Sequence, residues 1–162
     1  MSAHAHPTPR ITLAASGDDE RRTFAVCAAE GRPLWYGPLE PPPDDMVAGR
    51  PASAPTTAAA RGIWLAGQAK TQAGLGHALL RLIVTDRQLD IRALQRTAVL
   101  TGLALEFIVT KENPARGWCS TYGWLEWSTA SLAGLVDRRS GFGVRPYVAS
   151  APVRQSPRRT RR

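Results

Sequence analysis

The chain has 162 residues, 43% of them hydrophobic, with five Trp, 13 Pro and 14 Gly; this is enough apolar material for one core of ordinary domain size, and it argues against wholesale disorder. The longest apolar runs, such as Leu79-Leu80 and Leu82-Ile83-Val84, fall far short of the about 20 residues needed to cross a bilayer, so no membrane partner is expected. The formal net charge of +8 is confined to one end. Eight of the 21 basic residues, Arg138, Arg139, Arg145, Arg154, Arg158, Arg159, Arg161 and Arg162, lie in 138–162 without a single acid, which leaves 13 basic residues upstream to balance all 13 acidic ones.

Residues 1–9 are small, polar and interrupted by Pro7 and Pro9, and they predict a disordered lead-in with ordered structure from Arg10. His4, His6 and Pro7 stand where a secretory leader would carry an apolar stretch, so the chain reads as cytoplasmic, with Cys27 and Cys119 as free thiols. Spacing alone leaves a disulfide between those two open. Ile11 to Ser16 alternates in the manner of a strand, Gly17-Asp18-Asp19-Glu20 supplies turn chemistry, and Thr23 to Ala28 resumes the pattern, which predicts a hairpin. Pro33 to Gly37 adds a third strand after the Glu30-Gly31-Arg32 turn.

Residues 38–55 contain Pro38, Pro41, Pro42, Pro43, Pro51 and Pro55 and predict a loop. Thr56 or Thr57 is placed to cap a helix running to about Ala73, with Ala59, Ile63, Ala66 and Ala69 on one face and Gly74 or Gly76 to end it. Leu79 to Thr85 suits a strand buried on both sides and stops at Asp86. Asp90 caps a second helix through Thr101, and Gly102 closes it. Leu103 to Thr110 is a fifth strand, residues 111–117 a loop, and Ser120 to Val136 a last helix with Leu125, Leu132 and Val136 on one face. The expected fold class is therefore α/β: a mixed five-stranded sheet in β-β-β-α-β-α-β-α order within a single domain over 10–137, followed by an arginine-rich flexible tail over 138–162.

This order resembles the ribonuclease H-like fold. The most specific local match is Leu82-Ile83-Val84-Thr85-Asp86 followed by a helix, which is similar to that family's fourth strand ending in an aspartate; Phe107-Ile108-Val109 leading through Glu112-Asn113-Pro114-Ala115 is similar to its fifth strand and the loop beyond. The resemblance implies a carboxylate cluster holding two Mg²⁺ ions, because hard cations take oxygen ligands and paired metals stabilise both attacking and leaving oxygens. Asp86 matches one metal ligand. Ala14-Ala15-Ser16 stands where the family has an Asp-Gly-Ser, residues 56–74 contain no acid to match the helix glutamate, and the last helix offers only Glu126. Asp18 and Asp19, just past the first strand, have a hairpin-turn role as the simpler reading, and bending back toward Asp86 as the alternative.

Two functional readings follow. In the first the domain is non-catalytic, needs no cofactor and contacts DNA or RNA through its tail arginines, because a compact cationic block attracts phosphate polymers at long range. In the second Asp86, Asp18, Asp19 and Glu126 form a rearranged Mg²⁺-dependent nuclease site. Trp118, Tyr122, Trp124 and Trp127 crowd ten residues behind Arg116. In helical geometry Trp124 and Trp127 are neighbours and Trp118 lies near the helix start, so at least two of these rings are expected to cover the sheet. Trp118 is the ring expected at the surface, where it and Arg116 would contact nucleic acid. A third possibility is a protein-interaction module built on that aromatic group.

Overall fold

The computed structural model describes residues 8–39 and 52–138. What the sequence predicts for residues 1–7, 40–51 and 139–162 lies outside the described residues. β1 (Arg10–Asp18), β2 (Thr23–Ala28) and β3 (Pro33–Pro38) are followed by α1 (Ala54–Gln72), β4 (Ala78–Val84), α2 (Ile91–Leu100), β5 (Leu103–Val109), two 3₁₀ turns at Arg116–Ser120 and Ala130–Leu132, and a short β6 (Val136–Asp137). The sheet order is β3-β2-β1-β4-β5, with β6 beside the start of β1. β1–β2 and β2–β3 are antiparallel, whereas β1–β4 and β4–β5 are parallel. The fold is thus α/β with a mixed, open sheet. No helix among the described residues is long and apolar enough to cross a membrane.

The local chemistry explains the helix ends. Ser53 caps α1, its hydroxyl accepting the Thr56 amide at 3.2 Å, and Pro55 lies in the first turn, where a missing N–H costs nothing. The cap thus falls three residues before Thr56, and β3 and α1 take in Pro38 and Ala54–Pro55, which the prolines predict as loop. Asp90 caps α2 by accepting the Ala93 amide at 3.1 Å, and Gly102, at φ +76°, closes it. A side chain at Gly102 would stand 2.9 Å from the Gly76 carbonyl, so the close approach also demands glycine.

The strand alternation divides the sheet into two faces. Ile11, Leu13, Ala15, Phe24, Val26, Leu80, Leu82 and Val84 meet the small-residue face of α1, including Ala58, Ala59, Ile63 and Ala66, in the main core. The glycine and alanines of α1 let the helix lie close to the sheet; Gly62 is so near Leu82 that an added methyl would sit 3.2 Å from its Cδ1. On the opposite face Ala14, Ala25 and Cys27 are covered by Ala115 and Cys119, with Tyr36, Ile83 and Trp118 at the margin.

Two expectations fail here. β4 is not buried on both sides: Leu80, Leu82 and Val84 are buried, whereas Leu79, Arg81 and Ile83 are half-buried, with Arg81 ion-paired to Glu106 of β5 at 3.1 Å. The α-helices of the described residues both lie on the other face. The last helix, expected over 120–136, is absent as well. In its place the chain leaves the Arg116–Ser120 turn in an extended path, passes Gly123 at φ +97° and Gly134 at φ +83°, and ends in β6. The left-handed backbone at both glycines interrupts helical hydrogen bonding. The missing intrahelical bonds are replaced by sheet pairing: Leu125 and Tyr36 exchange N–H···O bonds of 2.8 and 2.9 Å, and Val136 and Asp137 pair with Ile11 and Arg10.

Candidate functional site

A cleft of about 700 Å³ opens at the carboxyl ends of the parallel pair β1 and β4, between the start of α1 and the Arg116–Ser120 turn. Its lining includes Asp18, Asp19 and Asp86 together with Arg21, Arg87 and Arg116. The position has a topological cause. β1 leaves its end through a hairpin to β2 on one side and β4 leaves through α2 to β5 on the other, so the connections diverge and a crevice remains between them.

The carboxylates are brought into one cleft, yet each is committed to backbone geometry. Asp18 Oδ1 accepts the amides of Glu20 at 3.0 Å and Arg21 at 3.1 Å, and its Oδ2 meets Arg21 Nη1 at 3.1 Å. The Arg21 amide is the largest influence on the Asp18 carboxyl; burial opposes it, and the Arg21 guanidinium and the Glu20 amide add enough to hold the carboxyl below its usual range. Asp19 Oδ1 accepts the Ala54 amide at 2.8 Å and pairs with Arg22 Nη1 at 3.2 Å. Asp86 Oδ1 accepts the Gln88 amide at 2.7 Å, which makes it the residue that turns the chain out of β4. Glu126 is exposed on the segment that replaces the expected helix and does not line the cleft, because the extended path carries it toward the β3 edge.

These residues do not fit a two-metal cluster. Among the described residues no group of three His, Cys, Asp or Glu side chains is disposed to hold a metal ion. The inner positions are apolar instead: Ala14 and Ala15 are buried on β1, and the α1 face toward the sheet is built of Ala58, Ala59 and Gly62. The cations are differently placed. Arg21 is tied to Asp18, but among the described residues the exposed guanidinium groups of Arg87 and Arg116 have neither a hydrogen bond nor an ion pair.

The cleft's outer wall is fastened by Asn113, whose role the sequence did not reveal. Its Nδ2 donates to the Ala15 carbonyl at 2.9 Å and to Thr85 Oγ1 at 3.1 Å, and its Oδ1 accepts the Ala115 amide at 2.9 Å. The Cys119 thiol donates to the Ser16 carbonyl at 3.3 Å, and Thr23 Oγ1 donates to the Cys119 carbonyl at 2.8 Å. Burial raises the Cys119 thiol, with the Asp18 charge adding to the effect, and pushes Cys27 up to about 12, so both remain protonated near neutral pH.

The aromatic group is split. Trp118 is half-buried, stacked at 5.1 Å on Tyr36 with its indole N–H donated to the Gly31 carbonyl at 3.2 Å, so it is not the exposed ring that the sequence suggests. Trp127 packs on Trp64 at 5.0 Å. Tyr122 is fully exposed and Trp124 68% exposed. Of the tail, Arg138 alone is described; its Nη2 donates to the Ala73 carbonyl at the end of α1, opposite the helix end that borders the cleft. The residues Arg139, Arg145, Arg154, Arg158, Arg159, Arg161 and Arg162 lie outside the described residues. Comparisons with protein-family models, with curated proteins and with solved structures find no match to this chain.

Proposed function

We propose that this chain is a nucleic-acid-binding protein whose ribonuclease H-like domain is non-catalytic and whose arginine tail supplies long-range attraction to phosphate. The observation that carries the reading is the segregation of charge: eight arginines and no acid in the last 25 residues, behind a balanced domain. Two features of the cleft support it. Its carboxylates are engaged by backbone amides, whereas Arg87 and Arg116 are exposed at its rim. The element order through β5 and the place of Asp86 at the end of β4 support the ribonuclease H-like assignment.

The test is a salt titration of binding to a generic duplex, comparing the full chain with a variant in which the eight tail arginines are glutamines. Every phosphate that the variant no longer neutralises should make the slope of log K against log salt shallower by about 0.9, so a drop of several units is expected. An unchanged affinity and slope would overturn the proposal, and a stable protein partner captured in the absence of any nucleic-acid binding would favour an interaction module.

A second reading has one specific observation behind it: Asp18, Asp19 and Asp86 line the same cleft. A nuclease of that kind would cleave an RNA–DNA hybrid with Mg²⁺ or Mn²⁺ and lose that activity in Asp86→Asn. Equal behaviour of parent and variant removes it.

A further inference from the structure

We infer that the carboxyl-end rim of the sheet is a track for single-stranded nucleic acid, with phosphates on Arg87 and Arg116 and unpaired bases on Tyr122 and Trp124. The inference rests on the nucleic-acid reading above and names the form of nucleic acid recognised. β1, β3 and β4 all end on this rim, since β3 is antiparallel to β2 and β4 parallel to β1. Arg87 follows the end of β4, Arg116 and Ser120 overhang β1 and β2, and Trp124 sits against Gly37 near the end of β3. From β4 to β3 is three strand spacings, about 14 Å.

The rings are held outward by ordered backbone. Leu125 and Tyr36 exchange hydrogen bonds of 2.8 and 2.9 Å, which pin the chain immediately after Trp124 to the edge of β3. Gly37, at φ +153°, leaves room for the Trp124 Cβ, which stands 2.7 Å from where a side chain at 37 would begin. The backbone is therefore seated tightly while the indole itself is 68% exposed, and Tyr122 two residues earlier is 100% exposed.

Exposed rings and open guanidinium groups on the same end of the sheet match one ligand chemistry well. Phosphates satisfy the cations, and every base offers a π-face that stacks on an aromatic ring for about 1–3 kcal/mol. Bases in a duplex are already stacked on one another and cannot use these rings. Single strands should therefore be preferred, with little dependence on sequence. A protein ligand would also use exposed rings, but the adjacent cations and the arginine tail complement a polyanion.

The experiment uses the full chain at about 0.2 M salt, with a fluorescein-labelled oligothymidylate of about 20 nucleotides and a duplex of equal length. The parent is expected to bind the single strand more tightly than the duplex, with quenching of Trp fluorescence. The double variant Tyr122→Ala, Trp124→Ala should lose about 10- to 100-fold in single-strand affinity and keep its duplex affinity. Tyr122→Phe with Trp124→Phe, which retains ring faces, should restore most of the loss. The Ala variant keeps the Trp124 Cβ that meets Gly37, and an unchanged melting temperature separates lost stacking from lost folding. If the parent binds both forms alike and the Ala variant is unaffected, the track is wrong while the nucleic-acid reading stands. If neither form binds, both fall, and the rings belong to a protein-facing surface.

Discussion

Asp19 closes the start of α1 from outside the helix: its Oδ1 accepts the Ala54 amide at 2.8 Å, while Ser53 takes the Thr56 amide from within. The first amides of a helix have no intrahelical partner, and a carboxylate there also meets the positive end of the helix dipole. Asp19→Ala should cost about 1 kcal/mol of stability, read as a lower urea midpoint with an unchanged m-value, and Asp19→Asn should recover most of it. The ion pair with Arg22 lies between two substantially exposed groups and adds little.

Gly37 should tolerate no side chain. Alanine there meets the Trp124 Cβ and must adopt φ +153°, so Gly37→Ala is expected to destabilise by about 1–3 kcal/mol and to loosen the Leu125–Tyr36 pairing. Faster amide exchange at Leu125 and Tyr36 would report the second effect.

Asn113 ties the loop after β5 to the ends of β1 and β4. Asn113→Ala should cost about 2 kcal/mol, since it removes both bonds donated by Nδ2 and leaves the buried Ala115 amide without its acceptor. Asn113→Asp is the sharper probe. It keeps the shape and the Ala115 bond but cannot donate to the Ala15 carbonyl when ionised, so its loss should exceed that of alanine at neutral pH and shrink in acid.

The Cys27 thiol makes stability fall in alkali. Burial, with contributions from Glu30 and Cys119, raises its folded pKa from 9.0 to about 12. Between those values the unfolded chain has released the proton and the folded chain holds it, so the unfolded state binds fewer protons and stability declines as pH rises through that window. The contribution is fully present below pH 9. Urea midpoints for the parent and Cys27→Ala across that range should converge as pH rises, the variant starting lower because a buried sulfur has been removed.

Mg²⁺ should not stabilise the fold. With Asp18, Asp19 and Asp86 each engaged by backbone amides, about 5 mM Mg²⁺ is expected to leave the melting temperature of the parent unchanged, and Asp86→Asn should respond identically. A metal-dependent rise lost in Asp86→Asn would restore the cluster.

The amino-acid sequence by itself determined the elements whose signals are local. Alternation marked β1 and β2, and Asp90 and Gly102 bracketed α2, because turn chemistry, capping and periodicity act over a few residues. It also put Asp86 at the end of β4. The segment after β5 was decided by tertiary structure. Leu125, Leu132 and Val136 carry helical spacing, yet bonds to Tyr36 and to β1, far away in sequence, draw this stretch onto the sheet, and Gly123 and Gly134 supply the left-handed backbone it needs. The same long-range pairing moved Glu126 out of the site, set Trp118 against Tyr36 and turned Trp124 outward. Asp18 and Asp19 were legible as turn residues, but their presence in one cleft with Asp86, Arg87 and Arg116 came from β1 and β4 lying side by side. Sheet neighbours are chosen by packing across the whole domain, and no short stretch of sequence records them.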